Sequence, residues 1–208
     1  MVAALFVAAR GVYTGLPDVD PWTVDRDARL YAGPWPVVAH PPCERWGRYA
    51  DGGPSARVKR VKGDDGGCFL TALEAVRRWG GVLEHPAGSA AWQAFGLHYP
   101  PRVGGWVSAD WRGGWTCCVD QGHYGHRAQK ATWLYAVGVA LPSLEWGKAP
   151  RRHASLDRRT IRTGTCQNLS KRQRTETPAP FRDLLLGLAR TATSGAGGMT
   201  TDHSVARN

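Results

Sequence analysis

The chain has 208 residues, of which 42% are hydrophobic, so it is long enough to bury one good core. Its 27 lysine and arginine residues outnumber its 17 aspartate and glutamate residues; the resulting formal net charge of +10 indicates an anionic partner, most naturally nucleic acid. No apolar stretch reaches the roughly 20 residues that span a membrane, and no signal-peptide pattern precedes the first apolar run, which excludes a membrane protein. The five cysteines form no disulfide framework, which excludes a disulfide-stapled scaffold and favours the cytoplasm.

The first informative element is a short strand that ends in a proline-cysteine loop. Residues 35–39 form an apolar run, and Pro41-Pro42-Cys43 follows it directly. The two prolines lack backbone donors and restrict the chain, so the strand cannot continue through them. The sequence therefore predicts that Cys43 is presented at the carboxyl end of a strand, where ligands bind in open α/β sheets.

A helix and a second strand come next. Apolar residues at helical spacing predict a helix over residues 68–79 that stops at Gly80-Gly81. Val82-Leu83 begins another strand, and Glu84-His85-Pro86 leaves it. This order is a βαβ unit, so we expect the Cys43 thiol and the Glu84 carboxylate at the same sheet edge.

Basic side chains are clustered on the loop that leaves Cys43, where the phosphates of a bound strand would pass. The predicted phosphate contacts are Arg57, Lys59, Arg60 and Lys62. Of the ten tryptophans, only Trp46 is predicted to stack on a base; most of the others are predicted to be core residues.

The end of the chain divides into three parts. Residues 147–176 lose the hydrophobic periodicity and indicate a basic loop or linker. Thr177 is predicted to cap a helix over residues 177–192 that packs on the domain formed by residues 1–146. Residues 193–208 are rich in glycine, serine and threonine and are predicted to be a disordered tail.

Three segments resemble the DNA (cytosine-5) methyltransferases. These are Pro42-Cys43, Glu84-His85-Pro86, in which His85 stands where that family usually has asparagine, and residues 120–138, which are similar to the family's Tyr-Gly, Gln, Arg and apolar-strand pattern. The stretch from residue 5 to 146 also resembles small DNA methylases encoded by phages and prophages, which would act in the cytoplasm of a bacterial host. The resemblance implies a single Rossmann-like α/β domain with a methyltransferase-type sheet flanked by helices, truncated and without a target-recognition domain, so that sequence recognition would need a protein partner.

The resemblance also implies catalytic roles. Cys43 would add as a thiolate to carbon 6 of cytosine, and Glu84 would supply the proton or hydrogen bond at ring nitrogen 3. Arg127 and Lys130 would keep Cys43 ionised and hold the base or its phosphate. The target base would be flipped out of duplex DNA or already single-stranded.

The implied methyl donor is S-adenosylmethionine. Two glycines, Gly11 and Gly15, partly match the family's glycine-rich turn. The acidic group that would bind the ribose could be Asp18, Asp20, Asp25 or Asp27. The residues that we predict to hold the cofactor are Phe6, Gly11, Asp25, Pro41 and Thr177.

Other interpretations compete with methyl transfer. The same cysteine adduct could serve another pyrimidine-modifying reaction, and a basic DNA-binding or host-interaction protein could retain the fold without the cofactor pocket. Cys117, Cys118, His123 and His126 are potential zinc ligands, and His40 and His85 flank the proposed nucleophile and carboxylate. No Cys-x2-Cys pair is present, so structural or substrate-binding histidines are predicted and no metal site.

Overall fold

The structure is a computed structural model that describes residues 1–52, 57–150, 154–155 and 167–193. It is a mixed α/β fold in which helices flank a seven-stranded sheet. The strands of this sheet are β1 (Val2–Leu5), β2 (Val19–Trp22), β3 (Val37–Ala39), β4 (Gly81–Pro86), β5 (Val107–Ser108), β6 (Trp115–Asp120) and β7 (Ala131–Val137). The helices are α1 (Cys68–Trp79), α2 (Ala90–Ala94), α3 (Lys171–Thr175) and α4 (Ala179–Arg190), with 3₁₀ turns at Ala28–Leu30 and Gln121–Tyr124.

The strand order across the sheet is β2-β1-β3-β4-β7-β6-β5. The first four strands are parallel, whereas β7 runs antiparallel to both β4 and β6. The predicted βαβ unit is confirmed, because β3 and β4 are adjacent and parallel and α1 connects them. The carboxyl ends of β3 and β4 therefore lie at one edge of the sheet, together with the beginning of β7.

Helices pack on both faces of the sheet. Phe69, Leu73 and Val76 of α1 are fully buried against one face, and Phe181 and Leu185 of α4 are fully buried against the other. Helix α1 has the predicted bounds, because its apolar positions recur at 3.6-residue spacing and glycines flank both ends. Helix α4 confirms the predicted terminal helix, but Pro178 occupies its N-cap in an extended conformation, so the predicted cap at Thr177 is wrong.

Regular structure extends into the segment that was predicted as an irregular loop. Ser170 caps α3 with a full capping box, in which its side chain and that of Gln173 each bond the other's backbone N–H. Ala154–Ser155 (β8) and Gln167–Asn168 (β9) form a short parallel pair. Most of the remaining predicted linker and of the predicted tail, residues 194–208, lie outside the described residues. Within the described part of the chain, no helix is both long and apolar enough to cross a membrane.

The direction of the chain reverses across the sheet at β1. The β1–β2 connection packs on the α4 face through Tyr13, and the β2–β3 connection packs on the α1 face through Ala28 and Tyr31. Strands β2 and β3 therefore lie on opposite sides of β1, which makes the carboxyl ends of β1 and β3 a topological switch point. Such a crevice is where ligands bind in open α/β sheets.

The close approach of β3 and β4 depends on Gly81, which gives a first test of the fold. Its φ is +124°, and an added Cβ would overlap the backbone of Val37 on β3. We expect Gly81→Ala to lower the free energy of unfolding by on the order of 3 kcal/mol or more, from backbone strain and overlap together. Gly187, which is exposed in α4 with open space around it, is the matched control. Gly187→Ala should raise stability by about 1 kcal/mol, and urea unfolding of both variants checks the pair.

Candidate functional site

The carboxyl edge of the sheet gathers a cluster of polar side chains from elements far apart in the chain. His40 follows β3 directly, Glu84 lies near the end of β4, and Lys130 immediately precedes β7. Gln121 follows β6, and Tyr13 reaches this edge from the β1–β2 connection. Because successive residues of a strand alternate between its faces, Glu84 points to the α4 face, as Val82 does.

Glu84 is buried and both of its carboxylate oxygens have partners. His40 Nδ1 lies 2.9 Å from Oε2, and Gln121 Nε2 donates to Oε1 at 3.2 Å. The amide of Gln121 also donates to Thr132 Oγ1 at 2.9 Å. On its other side, the His40 ring places Nε2 2.8 Å from the hydroxyl of Tyr13.

These contacts settle the ionisation of Glu84. Burial alone would raise the pKa of the Glu84 carboxyl, but the hydrogen bond and charge of His40, with the charge of Lys130, outweigh it and hold that pKa below its usual value of 4.5. Glu84 is therefore a carboxylate at neutral pH. To supply the proton expected at ring nitrogen 3, Glu84 would first have to receive it from another group.

Cys43 is an exposed residue on the loop after β3, and the charge of Glu84 acts on its thiol. Partial burial of the thiol raises its pKa above the ordinary value of 9.0, and the charges of Glu84 and Glu44 raise it further, while a backbone hydrogen bond at Cys43 and the charge of Lys130 oppose them. The resting form is thus a neutral thiol, which corrects the predicted thiolate. The physical reason is that the carboxylates and the partial burial of the sulfur outweigh the backbone hydrogen bond and the nearby ammonium group.

Of the two predicted basic partners, Lys130 is brought to the site. Its charge acts on both Glu84 and Cys43, and its Nζ donates to the backbone oxygen of Glu176 at 3.2 Å. Burial lowers the pKa of Lys130, and the neighbouring carboxylate and thiol oppose that shift. Arg127 lies exposed on the turn that precedes it.

Cys43 also opens onto a basic groove of about 830 Å³. The groove is lined by Cys43, Glu44, Gly47, Arg48, Tyr49, Gly52, Arg57, Val58 and Arg60. Two of the four predicted phosphate contacts, Arg57 and Arg60, therefore line the same groove as Cys43. Lys59 and Lys62 are exposed on the same loop, and Lys59 Nζ lies 3.8 Å from a carboxylate oxygen of Asp51.

The predicted stacking role of Trp46 is wrong. Only 6% of the residue is exposed, its ring packs against Phe69 and Phe95, and its indole N–H donates to Asp65 at 2.8 Å. The ring therefore belongs to the core. The exposed aromatic ring in the groove is Tyr49, beside Arg48.

His85 points to the opposite face of β4 from Glu84. It is 1% exposed, its ring lies against Phe69 and Trp92, and neither ring nitrogen makes a hydrogen bond of good geometry. Burial lowers its pKa from 6.5 to about 4, although Glu84 and the Pro42 carbonyl favour the protonated form. His85 is thus a neutral core residue at pH 7.

The buried His85 predicts acid-dependent stability. An unfolded chain binds a proton at this histidine near pH 6.5, whereas the folded chain resists it until about pH 4. Its stabilising contribution is therefore complete above pH 6.5 and is lost as the pH falls to 4. The loss amounts to about 3 kcal/mol, from roughly 1.36 kcal/mol per pKa unit.

Denaturant unfolding between pH 7.5 and 4 measures this effect. The apolar variant His85→Leu should lose about 3 kcal/mol less over that range than the unmodified protein. Equal acid sensitivity in the two proteins would show that His85 is not buried as a neutral group.

The five residues predicted to hold the cofactor divide into two groups. Phe6, Asp25 and Pro41 follow the carboxyl ends of β1, β2 and β3, which are neighbouring parallel strands, so they line the edge at the switch point. Gly11 belongs to a tight turn in which an added Cβ would meet only its neighbour Ala8, and Thr177 lies before α4. Residues 6–18, all of which the structure describes, contain turns and no helix.

The potential zinc ligands of the sequence do not assemble. Cys117 and Cys118 are buried in β6, and burial raises the pKa of both thiols. Among the described residues, no group of three or more histidine, cysteine or acidic side chains is placed to hold a metal ion. His126 instead bonds the backbone of Ala128 through Nδ1.

Sequence reasoning missed two residues of the cluster, Tyr13 and Gln121, and did not connect His40 to Glu84. Tyr13 and Gln121 lie in turns without periodicity, 27 residues from His40 and 37 from Glu84 respectively. His40 had a usable signal, because it directly follows an apolar strand at the edge that carries Cys43.

Comparison of the chain with models of protein families, with curated proteins and with solved structures finds no match.

Proposed function

We propose that this chain is a nucleic-acid methyltransferase that modifies carbon 5 of cytosine through a covalent adduct with Cys43. The observation that carries the proposal is the juxtaposition of a thiol, an ionised buried carboxylate and an ammonium group at one sheet edge. These groups are Cys43, Glu84 and Lys130, which interact electrostatically with one another. The thiol opens directly onto a groove that carries three arginines.

The topology supports this proposal. The sheet is doubly wound around β1. Cys43 follows β3, and Glu84 lies near the end of the adjacent parallel strand β4, beside the switch point of the sheet. The reversed strand β7, inserted between β4 and β6, is also how a methyltransferase-type sheet departs from a fully parallel Rossmann sheet. We therefore propose a Rossmann-like methyltransferase fold with a shortened amino-terminal half.

The chemistry follows from the resting ionisation states. Cytosine carbon 5 becomes nucleophilic only after a sulfur adds to carbon 6 and ring nitrogen 3 takes a proton. This step needs one proton. The neutral Cys43 thiol carries that proton, and the Glu84 carboxylate can accept it. Lys130 stabilises the negative charge that the sulfur carries as its proton leaves. Once carbon 5 carries the methyl group, its proton would leave to water and the sulfur–carbon 6 bond would break. The nitrogen 3 proton would return through the Glu84 carboxylate to the Cys43 sulfur, which restores both the ring and the thiol.

The edge residues fit S-adenosylmethionine as the methyl donor. The Asp25 carboxylate is exposed after β2, where it can accept from a ribose hydroxyl, and the half-buried Phe6 offers apolar surface at the end of β1, whereas Pro41 is buried after β3. This donor carries no phosphate, so the absence of a helix after β1 removes no phosphate site that it would need. When bound, the donor supplies an electrophilic methyl group on a positively charged sulfur.

The groove supports nucleic acid as the substrate. Arg48, Arg57 and Arg60 can bind successive phosphates, and Tyr49 offers a ring for stacking. A base within a duplex cannot reach Cys43, so the target is flipped out or single-stranded.

The direct test is methyl transfer from isotopically labelled S-adenosylmethionine to cytosine-containing oligonucleotides. Duplex DNA, single-stranded DNA and RNA are compared, each with a matched oligomer in which every cytosine is replaced by thymine or uracil. Label in 5-methylcytosine is the expected result. Calorimetric titration of S-adenosylmethionine, with and without DNA, should show saturable binding, whereas no binding and no label would overturn the proposal.

One observation favours a second candidate, a nucleic-acid-binding protein without methyl transfer. The charge of the groove comes from arginines that do not depend on the thiol. Under this alternative, oligonucleotides would bind tightly while S-adenosylmethionine would not, and Cys43 could be replaced without consequence.

A further inference from the structure

A continuous line of hydrogen bonds connects the Glu84 carboxylate to the β1–β2 connection. It runs from Oε2 of Glu84 to Nδ1 of His40 at 2.9 Å and from Nε2 of His40 to the Tyr13 hydroxyl at 2.8 Å. Tyr13 is only 3% exposed, and the side chains of His40 and Glu84 are 13% and 11% exposed. The line is therefore largely shielded from water.

The chemistry of Glu84 and Tyr13, the two partners of the His40 ring, determines which ring nitrogen carries the proton. An ionised carboxylate can only accept a hydrogen bond, so the proton of His40 lies on Nδ1. Burial raises the pKa of Tyr13 far above its usual value, which keeps the phenol protonated as a partner for Nε2. With Nε2 bound to Tyr13, His40 cannot serve as the base of Cys43, and a cysteine-histidine hydrolase arrangement is excluded.

On the basis of the proposed function, we infer that His40 and Tyr13 are positioning residues that hold Glu84 as a carboxylate, so that the Cys43 thiol itself provides the proton for ring nitrogen 3. When Cys43 adds to the cytosine ring, the S–H bond of the thiol breaks and the bond between sulfur and carbon 6 forms. The thiol proton passes through the Glu84 carboxylate to nitrogen 3, and the carboxylate is restored. The adduct is neutral overall, and no oxidant or further reactant is required.

Several other titratable groups act on Glu84 or its partners, and their effects must be separated from that of His40. Lys130 acts from the segment before β7, Cys43 from the loop after β3 and His85 from the opposite face of β4, and Arg182 and Asp183 of α4 act on Tyr13. Lys130 favours the carboxylate, as His40 does, so the test varies His40 while Lys130 is kept. The folded pKa of Glu84 is lowered; its stabilising contribution is therefore present above pH 4.5 and is lost as the pH falls through the lowered value.

The test is a pH titration of the carboxyl carbon of Glu84 by ¹³C NMR, with the resonance identified by its absence in Glu84→Gln. In the unmodified protein it should titrate below pH 4.5. His40→Leu removes the donor, and the midpoint should rise by at least about one unit. His40→Asn keeps an N–H near the position of Nδ1 but not the charge, so it should restore the part of the lowering that comes from the hydrogen bond. An unchanged midpoint in His40→Leu overturns the inference.

A second measurement needs no variant. The ¹⁵N shifts of the His40 ring should report a proton on Nδ1 at pH 7.5, and a neutral ring protonated on Nε2 would overturn the inference even if His40→Leu did not fold. Tyr13→Phe should raise the Glu84 midpoint by less than His40→Leu does. None of these readouts requires S-adenosylmethionine or product, so failure of methyl transfer would be recorded separately from failure of the inference.

Discussion

Replacing Cys43 with serine should reduce methyl transfer by at least about 10⁴-fold, the scale seen when an enzyme loses its covalent nucleophile. A hydroxyl is a far weaker nucleophile than a thiol and cannot add to carbon 6 at a useful rate. Nucleic-acid affinity should be unchanged, because the arginines of the groove remain. Initial rates of label transfer and fluorescence-anisotropy binding measure the two properties on the same preparation.

Cys68 provides the matched control for this substitution. It is a half-buried cysteine at the start of α1, outside the cluster at the carboxyl edge. Cys68→Ser should retain the transfer rate within about twofold, as expected of a change remote from the reacting groups. If Cys43→Ser kept its activity, the covalent mechanism would be wrong, whatever the affinity for DNA.

Neutralising the groove should abolish most of the affinity for nucleic acid. Each phosphate contact to a single strand contributes a salt slope of about 0.7, so each is worth roughly fivefold at 0.1 M salt, and three contacts are worth about 10². The triple variant Arg48→Gln, Arg57→Gln, Arg60→Gln should therefore bind about 10²-fold more weakly. Its plot of log affinity against log salt should also be shallower by about 2.

Exposed arginines elsewhere distinguish a groove from a diffuse positive field. The control variant neutralises Arg78, Arg102 and Arg190, which are exposed and do not line the groove. It changes the net charge by the same amount and should lower the affinity by less than about threefold. Equal losses in the two triple variants would show that net charge, and not the groove, binds the nucleic acid.

The parts of the fold that follow from local pattern could be predicted from the sequence. The helix over residues 68–79 is an example, since its apolar stripe and its terminal glycines are both local signals. The sheet edge shared by Cys43 and Glu84 was also predictable, because parallel strands joined by a helix end on the same side. By contrast, the short helix at Lys171–Thr175 carries no apolar stripe and depends on the cap at Ser170.

The parts of the site that depend on tertiary contacts could not be predicted. The indole of Trp46 is held in the core by its hydrogen bond to Asp65 and by packing on Phe69, and the Trp46 carbonyl accepts from the Ala90 N–H. None of these contacts can be predicted from a loop sequence. The ionisation of Cys43 was predicted from neighbouring cations alone. The buried carboxylate reverses that result, because its charge and the burial of the thiol appear only once the strands are paired.

Covalent trapping on a 5-fluorocytosine oligonucleotide tests the central claim most directly. After sulfur addition and methyl transfer, a fluorine at carbon 5 cannot leave as a proton does, so the adduct cannot resolve and the protein remains attached to the oligonucleotide. With S-adenosylmethionine present, intact-mass spectrometry should show one oligonucleotide and one methyl group added per chain, and peptide mapping should place the attachment at Cys43. No adduct on duplex DNA, single-stranded DNA or RNA, or attachment at another residue, would contradict the account.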